Sequence, residues 1–120
     1  MKRFQTDCEK KLRRMVDGMA EDVVQGRMRF FPNDESVVDD MQGETVYEVY
    51  NTKYIIGDDG TYHDVMIMLA GGGPTIWLDT WGQEIRGSWG SDKYTKHIYD
   101  YEYINDYFEE EYSCCGIKHA

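Results

Sequence analysis

The residues with the clearest potential chemistry lie near the C-terminus, in a segment where carboxylates are interleaved with aromatic rings. Between positions 100 and 112, six of the thirteen residues are Asp or Glu, four are Tyr and none is Lys or Arg. On a helix, side chains three and four positions apart stand about 5–6 Å from each other. A row of carboxylates at this spacing can imitate a line of phosphates, and interleaved tyrosines supply contact area at low entropic cost.

The spacing within this segment predicts an amphipathic helix with its acids directed outward. Tyr101, Ile104 and Phe108 fall on one stripe, as expected of a helix packed against a core. We predict a partner-binding set on the remaining surface, with the acids as phosphate mimics and two tyrosines as anchors. This set is Glu102, Tyr103, Asp106, Tyr107, Glu109, Glu110 and Glu111. A plain solvated helix face, whose acids serve only solubility, is the alternative interpretation.

The charge is distributed unevenly along the chain. Residues 1–31 carry eight Lys or Arg against five acids, whereas residues 32–120 carry five against eighteen, and the formal net charge of the chain is −10. An acidic body repels nucleic acids and anionic membranes over about 8–10 Å at moderate salt. The balance therefore disfavours direct nucleic-acid or membrane binding and favours a protein partner with a basic surface.

No arrangement of nucleophile, base and orienting acid is evident. His63, His97 and His119 lie in no recognisable catalytic frame, and the sequence around Ser88 lacks the spacing of a nucleophile elbow. The glycine run before Pro74 is followed by neither a phosphate-binding motif nor a helix signal. We expect no catalytic residues, no enzyme activity and no cofactor.

Metal binding is also not predicted. Cys8, Cys114, Cys115 and His119 could offer soft ligands, but adjacent cysteines strain a common chelate and tetrahedral zinc sites usually use spaced pairs. The loop that contains Asp58 and Asp59 lacks the alternating oxygen ligands and closing Glu of a calcium-binding loop.

The three tryptophans could stack on bases or sugars, or pack in a core. Platforms for single-stranded nucleic acid stand beside a positive groove, and here the neighbours are mainly acidic. We expect Trp77, Trp81 and Trp89 to contribute mostly to packing, with one of them available to a partner surface.

The elements that position these residues can be predicted from periodicity. Residues 6–25 show apolar side chains at helical spacings, with a capping box at Thr6 and a stop at Gly26. A strand is predicted over 44–56, bent near Asn51, and strands over 65–70, 75–81 and 85–89 are separated by glycine-rich turns. Residues 32–43 are interpreted as a connector.

We therefore predict one α+β domain over residues 1–120, in which an antiparallel sheet of three or four strands packs with two helices. Its predicted parts are an N-terminal helix (1–26), the sheet (44–90), an acidic C-terminal helix (100–112) and a tail (113–120). The odd number of cysteines and the lack of an apolar signal segment favour a reducing cytosol.

The run from Ile67 to Leu78, in which a hydrophobic strand leads into a Gly-Gly-Pro turn and an aromatic strand, is followed by residues 86–90 (RGSWG) and the acidic helix. Over residues 64–112 this combination resembles small proteins from phages and mobile elements, some of which are anti-CRISPR inhibitors. The resemblance implies a stoichiometric inhibitor or accessory factor that binds a nucleic-acid-handling protein in a bacterial host cell, and it carries no catalytic residues. A regulatory interaction module of a mobile element, acting through its aromatic sheet face, is the alternative.

Overall fold

The chain runs from a helix through a series of short strands to a second helix. The computed structural model describes residues 7–31 and 44–114. In chain order these residues form α1 (Asp7–Val24), β1 (Met28–Phe31), β2 (Thr45–Glu48), β3 (Asn51–Ile56), β4 (Tyr62–Ala70), β5 (Thr75–Asp79), β6 (Glu84–Trp89), β7 (Asp92–His97) and α2 (Glu102–Cys114). The predicted α+β class is confirmed, with one helix at each end of the described elements. Neither of these helices is both long and apolar enough to span a membrane.

The main sheet is an antiparallel meander in the order β3-β4-β5-β6-β7. Its centre follows the predicted alternation, since Val65, Ile67 and Leu69 of β4 are buried while the residues between them are half-buried. The glycine run before Pro74 links β4 to β5, and Gly72 has φ of 95°, a conformation that favours glycine. The tight strand connection predicted there is confirmed.

The predicted count of three or four strands was too low, because this sheet has five. The additional strand, β7, has few apolar residues and lies at the edge of the sheet, where exposed lysines and a histidine are tolerated. A two-residue Gly90-Ser91 connection joins it to β6, with Trp89 paired to Asp92 and Gly90 at φ 62°. That dipeptide is a recognised hairpin signal and could have revealed the strand.

The single bent strand predicted over 44–56 is wrong, because the chain forms two strands there in two different sheets. β2 pairs in parallel with β1, whereas β3 pairs antiparallel with β4. The change occurs at Val49 and Tyr50, where the Tyr50 amide donates to the Met68 carbonyl and starts the next ladder. Parallel pairing joins segments distant in sequence, so alternation alone could not indicate it. The connector predicted over 32–43 lies outside the described residues.

Both helices pack on one face of the five-stranded sheet. The predicted apolar stripe of α1 is confirmed, with Leu12 and Val16 fully buried. They lie over Gly87 of β6, where an added Cβ would stand 2.8 Å from Leu12 Cδ1 and 2.9 Å from Val16 Cγ2. α2 packs mainly over β4, and the ring of its Tyr112 lies 5.1 Å from that of Tyr54 on β3. The capping box predicted at Thr6 lies outside the described residues.

Candidate functional site: an acidic helix face beside an apolar groove

The outer surface of α2 carries four carboxylates on one face. At about 100° per residue, these four positions fall within about 100° of arc, and the buried positions of the helix lie opposite. The buried residues are Ile104, Phe108 and Tyr112. The exposed acids are Glu102, Asp106, Glu109 and Glu110. We call these four residues the acidic face.

The acidic face therefore unites four of the seven residues predicted to bind a partner, and their outward orientation is confirmed. Glu111 is half-buried and lies outside the arc, about 100° beyond Glu110. The helix begins at Glu102, two residues later than predicted, because Asp100 has φ of 57° and so lies outside the helical conformation. Ser113 and Cys114, which were predicted to belong to a tail, complete the last turn.

Aromatic contacts hold α2 against the body of the protein. The Phe108 ring lies 4.9 Å from the Phe30 ring of β1 in an edge-to-face arrangement, which aromatic pairs prefer. At the other end, the Tyr112 hydroxyl donates to the Gly60 carbonyl at 3.1 Å. This bond brings the β3–β4 loop, with its exposed Asp58 and Asp59, beside the last turns of α2.

A polar network centred on Asn105 fixes the rotation of α2. The Asn105 amide donates to Asp64 Oδ1 at 3.0 Å, and its carbonyl oxygen accepts from the Tyr62 hydroxyl at 2.6 Å. Thr80 Oγ1 lies 2.9 Å from the same Asp64 oxygen and accepts a bond from the Val65 amide at 3.0 Å. Because Asn105 faces inward, Asp106 beside it faces outward. The periodicity of the sequence did not reveal this network.

Burial, followed by the nearby carboxylates of Asp64 and Glu109, raises the pKa of the Tyr62 hydroxyl above its usual range. Burial likewise raises the pKa of Tyr103, although the Met28 amide and Arg29 oppose the shift. Both hydroxyls therefore stay protonated near neutral pH and act as hydrogen-bond donors. Neither phenol is poised for proton transfer at that pH.

The two tyrosines predicted as anchors face β1 and not the acidic face. The Tyr103 hydroxyl donates to the Val23 carbonyl at 3.0 Å and accepts from the Met28 amide at 3.3 Å. The Tyr107 ring lies 5.3 Å from the Phe30 ring. Both side chains are half-buried, so part of each ring is still accessible. Their predicted role as anchors is not decided by this placement.

These tyrosines form one wall of a groove of about 490 Å³ between α2 and the β1–β2 pair. Its apolar lining is contributed by Met28, Phe30, Val46, Tyr103 and Tyr107. At the rim, Arg29 and Glu44 form an ion pair with an N–O distance of 2.9 Å, and the Arg29 guanidinium lies 5.7 Å from the Tyr103 ring centre. The groove could not be predicted because it depends on the parallel β1–β2 pairing.

Candidate ligands and bases elsewhere are dispersed. His63 and His97 lie on different strands and are exposed, while the described cysteines, Cys8 and Cys114, lie on different helices. Among the described residues, no three His, Cys, Asp or Glu side chains are grouped so as to hold a metal ion. Cys115 and His119 lie outside the described residues. No cofactor or metal is therefore assigned to a set of side chains.

The sheet face opposite the helices, which we call the open face, carries a cross-strand row of large side chains. Met68 pairs with Trp77, and Trp77 pairs with Arg86. The Lys53 ammonium lies 5.0 Å from the Trp77 ring centre. Met66, Met68 and Trp77 are each half-buried and alternate with the buried core residues of β4 and β5.

The tryptophans occupy three different environments. Trp77 is on the open face, and half-buried Trp89 lies at the end of β6 near Gly73. The strand predicted over 75–81 includes Trp81, but this residue lies in the turn after β5 and is 61% exposed. The predicted end of the strand at Trp81 was wrong because the strand ends at Asp79, whose side chain accepts a hydrogen bond from the Gly82 amide and closes the turn.

Comparison with protein families, curated proteins and solved structures finds no match to this chain. The resemblance to small proteins of phages and mobile elements, together with the function that it implies, stays a prediction.

Proposed function

We propose that this chain is a non-enzymatic acidic inhibitor of a bacterial defence nuclease complex, such as an anti-CRISPR protein, and that it acts in the cytosol of the host cell. It occupies a basic nucleic-acid-binding surface of its partner and thereby excludes the nucleic acid. The observation that carries the proposal is the acidic face of α2, with its four exposed carboxylates.

The charge density of this face supports the proposal. Glu102 and Glu110 are eight residues apart, which corresponds to about 12 Å along the helix axis at about 1.5 Å per residue. One strand of DNA carries a phosphate about every 3.4 Å, so about three or four phosphates occupy the same length. Four carboxylates over this distance present a comparable line of negative charge to Lys and Arg side chains.

The test is capture of partners from a bacterial lysate that contains CRISPR effectors, using the tagged protein and washes at low and high salt. Captured proteins are identified by mass spectrometry. Capture of a nuclease or surveillance complex that is lost at high salt supports the proposal, because screening weakens contacts between exposed charges. Capture that survives high salt, or capture of proteins unrelated to nucleic acids, contradicts it.

A second candidate function is supported by the open face. An interaction or regulatory module of a mobile element would bind another protein through Trp77 and the neighbouring methionines, since partly exposed aromatic and methionine side chains are enriched at interfaces. Binding through this apolar row would depend little on ionic strength. A Trp77→Ala variant that loses a salt-resistant partner would favour this function over the acidic one.

A further inference from the structure

The groove beside α2 has the size and lining of a pocket for a large apolar side chain. Ligand pockets generally exceed about 300 Å³ and are lined mainly by apolar and aromatic groups, as is this groove of about 490 Å³. The Tyr103 hydroxyl is bonded to the backbone at Val23 and Met28, so the residue offers its ring and not its polar end to the groove.

The charges at the rim disfavour a cationic occupant. Arg29 already lies over the Tyr103 ring and is paired with Glu44. A second cation entering the groove would meet the Arg29 guanidinium and gain no unpaired carboxylate from the rim pair. The groove therefore suits an uncharged ring, for which Phe30, Tyr103 and Tyr107 provide stacking or edge-to-face partners.

The acidic face begins within one helical turn of the groove wall. Asp106 follows Tyr103 by three positions and Glu110 follows Tyr107 by three, so the Cβ atoms of each pair stand about 5–6 Å apart. Residues on either side of an inserted ring would reach these carboxylates. Charge complementarity requires those flanking residues to be basic.

We propose that the groove receives one aromatic side chain of the protein partner, carried on a segment whose flanking Lys or Arg residues pair with Asp106 and Glu110. This inference rests on the proposed function and specifies how the partner is recognised. An aromatic residue in a desolvated pocket with charged contacts around it is the usual arrangement of an interface hot spot. The partner segment is therefore a basic peptide with a central Trp or Phe.

The test uses three synthetic peptides as probes: Lys-Arg-Trp-Lys-Arg, the same peptide with Ser in place of Trp, and Glu-Glu-Trp-Glu-Glu. Each is titrated into ¹⁵N-labelled protein, and the amide chemical shifts are followed by NMR. We expect the basic Trp peptide to bind about tenfold or more tightly than the Ser peptide, with shifts at Val46 and Tyr107. The acidic Trp peptide should bind more weakly than either, because Asp106 and Glu110 repel it.

Two variants separate the groove from the charges. Val46→Arg, on the half-buried strand β2, should remove the advantage of the Trp peptide over the Ser peptide, whereas Glu110→Lys should weaken both basic peptides. Glu21→Lys on the exposed side of α1 is the matched charge control and should weaken binding less. The NMR spectrum of each free variant verifies its fold, and if Val46→Arg does not fold, the comparison of Trp and Ser peptides decides alone.

The outcomes distinguish this inference from the proposed function. Equal binding of the Trp and Ser peptides, with both weakened by Glu110→Lys, overturns the groove inference and leaves the acidic face supported. Tight binding of the acidic Trp peptide supports the groove and contradicts a basic partner. Shifts confined to Trp77 and the open face, or no shifts with any peptide, overturn the groove inference, while the capture experiment judges the proposed function independently.

Discussion

Replacing Asn105 with alanine should weaken the attachment of α2 to the sheet without altering its exposed acids. The exchange removes a bond to the Asp64 carboxylate at 3.0 Å and a bond from the Tyr62 hydroxyl at 2.6 Å. A hydrogen bond contributes about 0.5–1.5 kcal/mol net, and one to a charged group about 1.5–3 kcal/mol. Because Asn105 and Tyr62 are only half-buried, water will replace part of what is lost. We therefore expect a loss of about 2 kcal/mol in the free energy of unfolding.

Urea denaturation followed by circular dichroism measures this loss. For a slope of about 1.5–2 kcal/mol per molar urea, a loss of about 2 kcal/mol lowers the midpoint by about 1–1.3 M. The matched control is Asp106→Ala, one residue further along and exposed, which should change the free energy of unfolding by no more than about 0.5 kcal/mol. A double-mutant cycle with Tyr62→Phe should show a coupling energy of about 1 kcal/mol.

Two results would contradict this role of Asn105 in holding α2. One is an Asn105→Ala variant whose midpoint equals that of the wild type, and the other is an Asp106→Ala variant that is equally destabilised. In either case the polar network would contribute little to holding α2, and the buried stripe of Ile104, Phe108 and Tyr112 would set the outward placement of the acidic face by itself.

The remaining predictions concern the body of the protein. Gly87→Ala should lower the free energy of unfolding by about 1–3 kcal/mol through overpacking against α1, and an unchanged urea midpoint would show that the helix can move away. Asp22→Ala should lower the free energy of unfolding by about 2–3 kcal/mol, since this carboxylate accepts hydrogen bonds from Arg27 and from Tyr47. A decrease below about 0.5 kcal/mol in the same assay would contradict these hydrogen bonds. The pKa of Tyr47 is raised first by burial and second by its hydrogen bond to Asp22, and burial is the main cause of the raised pKa of Tyr62. Because the unfolded chain ionises these tyrosines first, their contribution to the free energy of unfolding is fully present below pH about 10 and falls above it. The double variant Tyr47→Phe with Tyr62→Phe should therefore show a smaller decline in urea titrations at several pH values. A decline equally steep in the double variant would contradict the assignment.

The elements that could be predicted are those whose periodicity matches their burial. Leu12, Val16 and Val23 recur at helical spacing and are fully buried in α1, and Val65 and Ile67 alternate and are fully buried in β4. In both cases one face of the element meets the core, so the pattern of apolar residues follows from the local geometry.

The elements that were missed either carry little apolar pattern, as in β7, or depend on contacts between distant segments, as in β2. β7 is an exposed edge strand whose position is set by pairing with β6, so its composition carries little apolar signal. The division of residues 44–56 into β2 and β3 follows from parallel pairing with β1 and from the bond between Tyr47 and Asp22, which lie 25 positions apart.

The acidic face and the groove show the same division. The outward direction of Asp106 and Glu110 could be predicted from helical spacing, because the apolar stripe must face the core. The inward direction of Tyr103 could not, since it depends on carbonyl and amide groups at the end of α1 and the start of β1.

The proposed function requires that the acidic face of α2 bind a basic, nucleic-acid-binding surface. The most direct measurement compares two double variants for binding to the captured nuclease complex and for exclusion of its DNA in a gel-shift assay. Glu109→Lys with Glu110→Lys alters the acidic face, and Glu21→Lys with Glu48→Lys alters exposed acids elsewhere. Each Glu→Lys exchange adds two positive charges, so both variants change the formal net charge from −10 to −6.

Both variants should fold, since all four positions are exposed and surface substitutions generally change stability little. If the proposed function holds, the α2 variant binds the nuclease complex about tenfold or more weakly and no longer excludes its DNA, while the control variant retains both properties. Equal binding and equal exclusion of DNA by the two variants would contradict the proposed role of the acidic face.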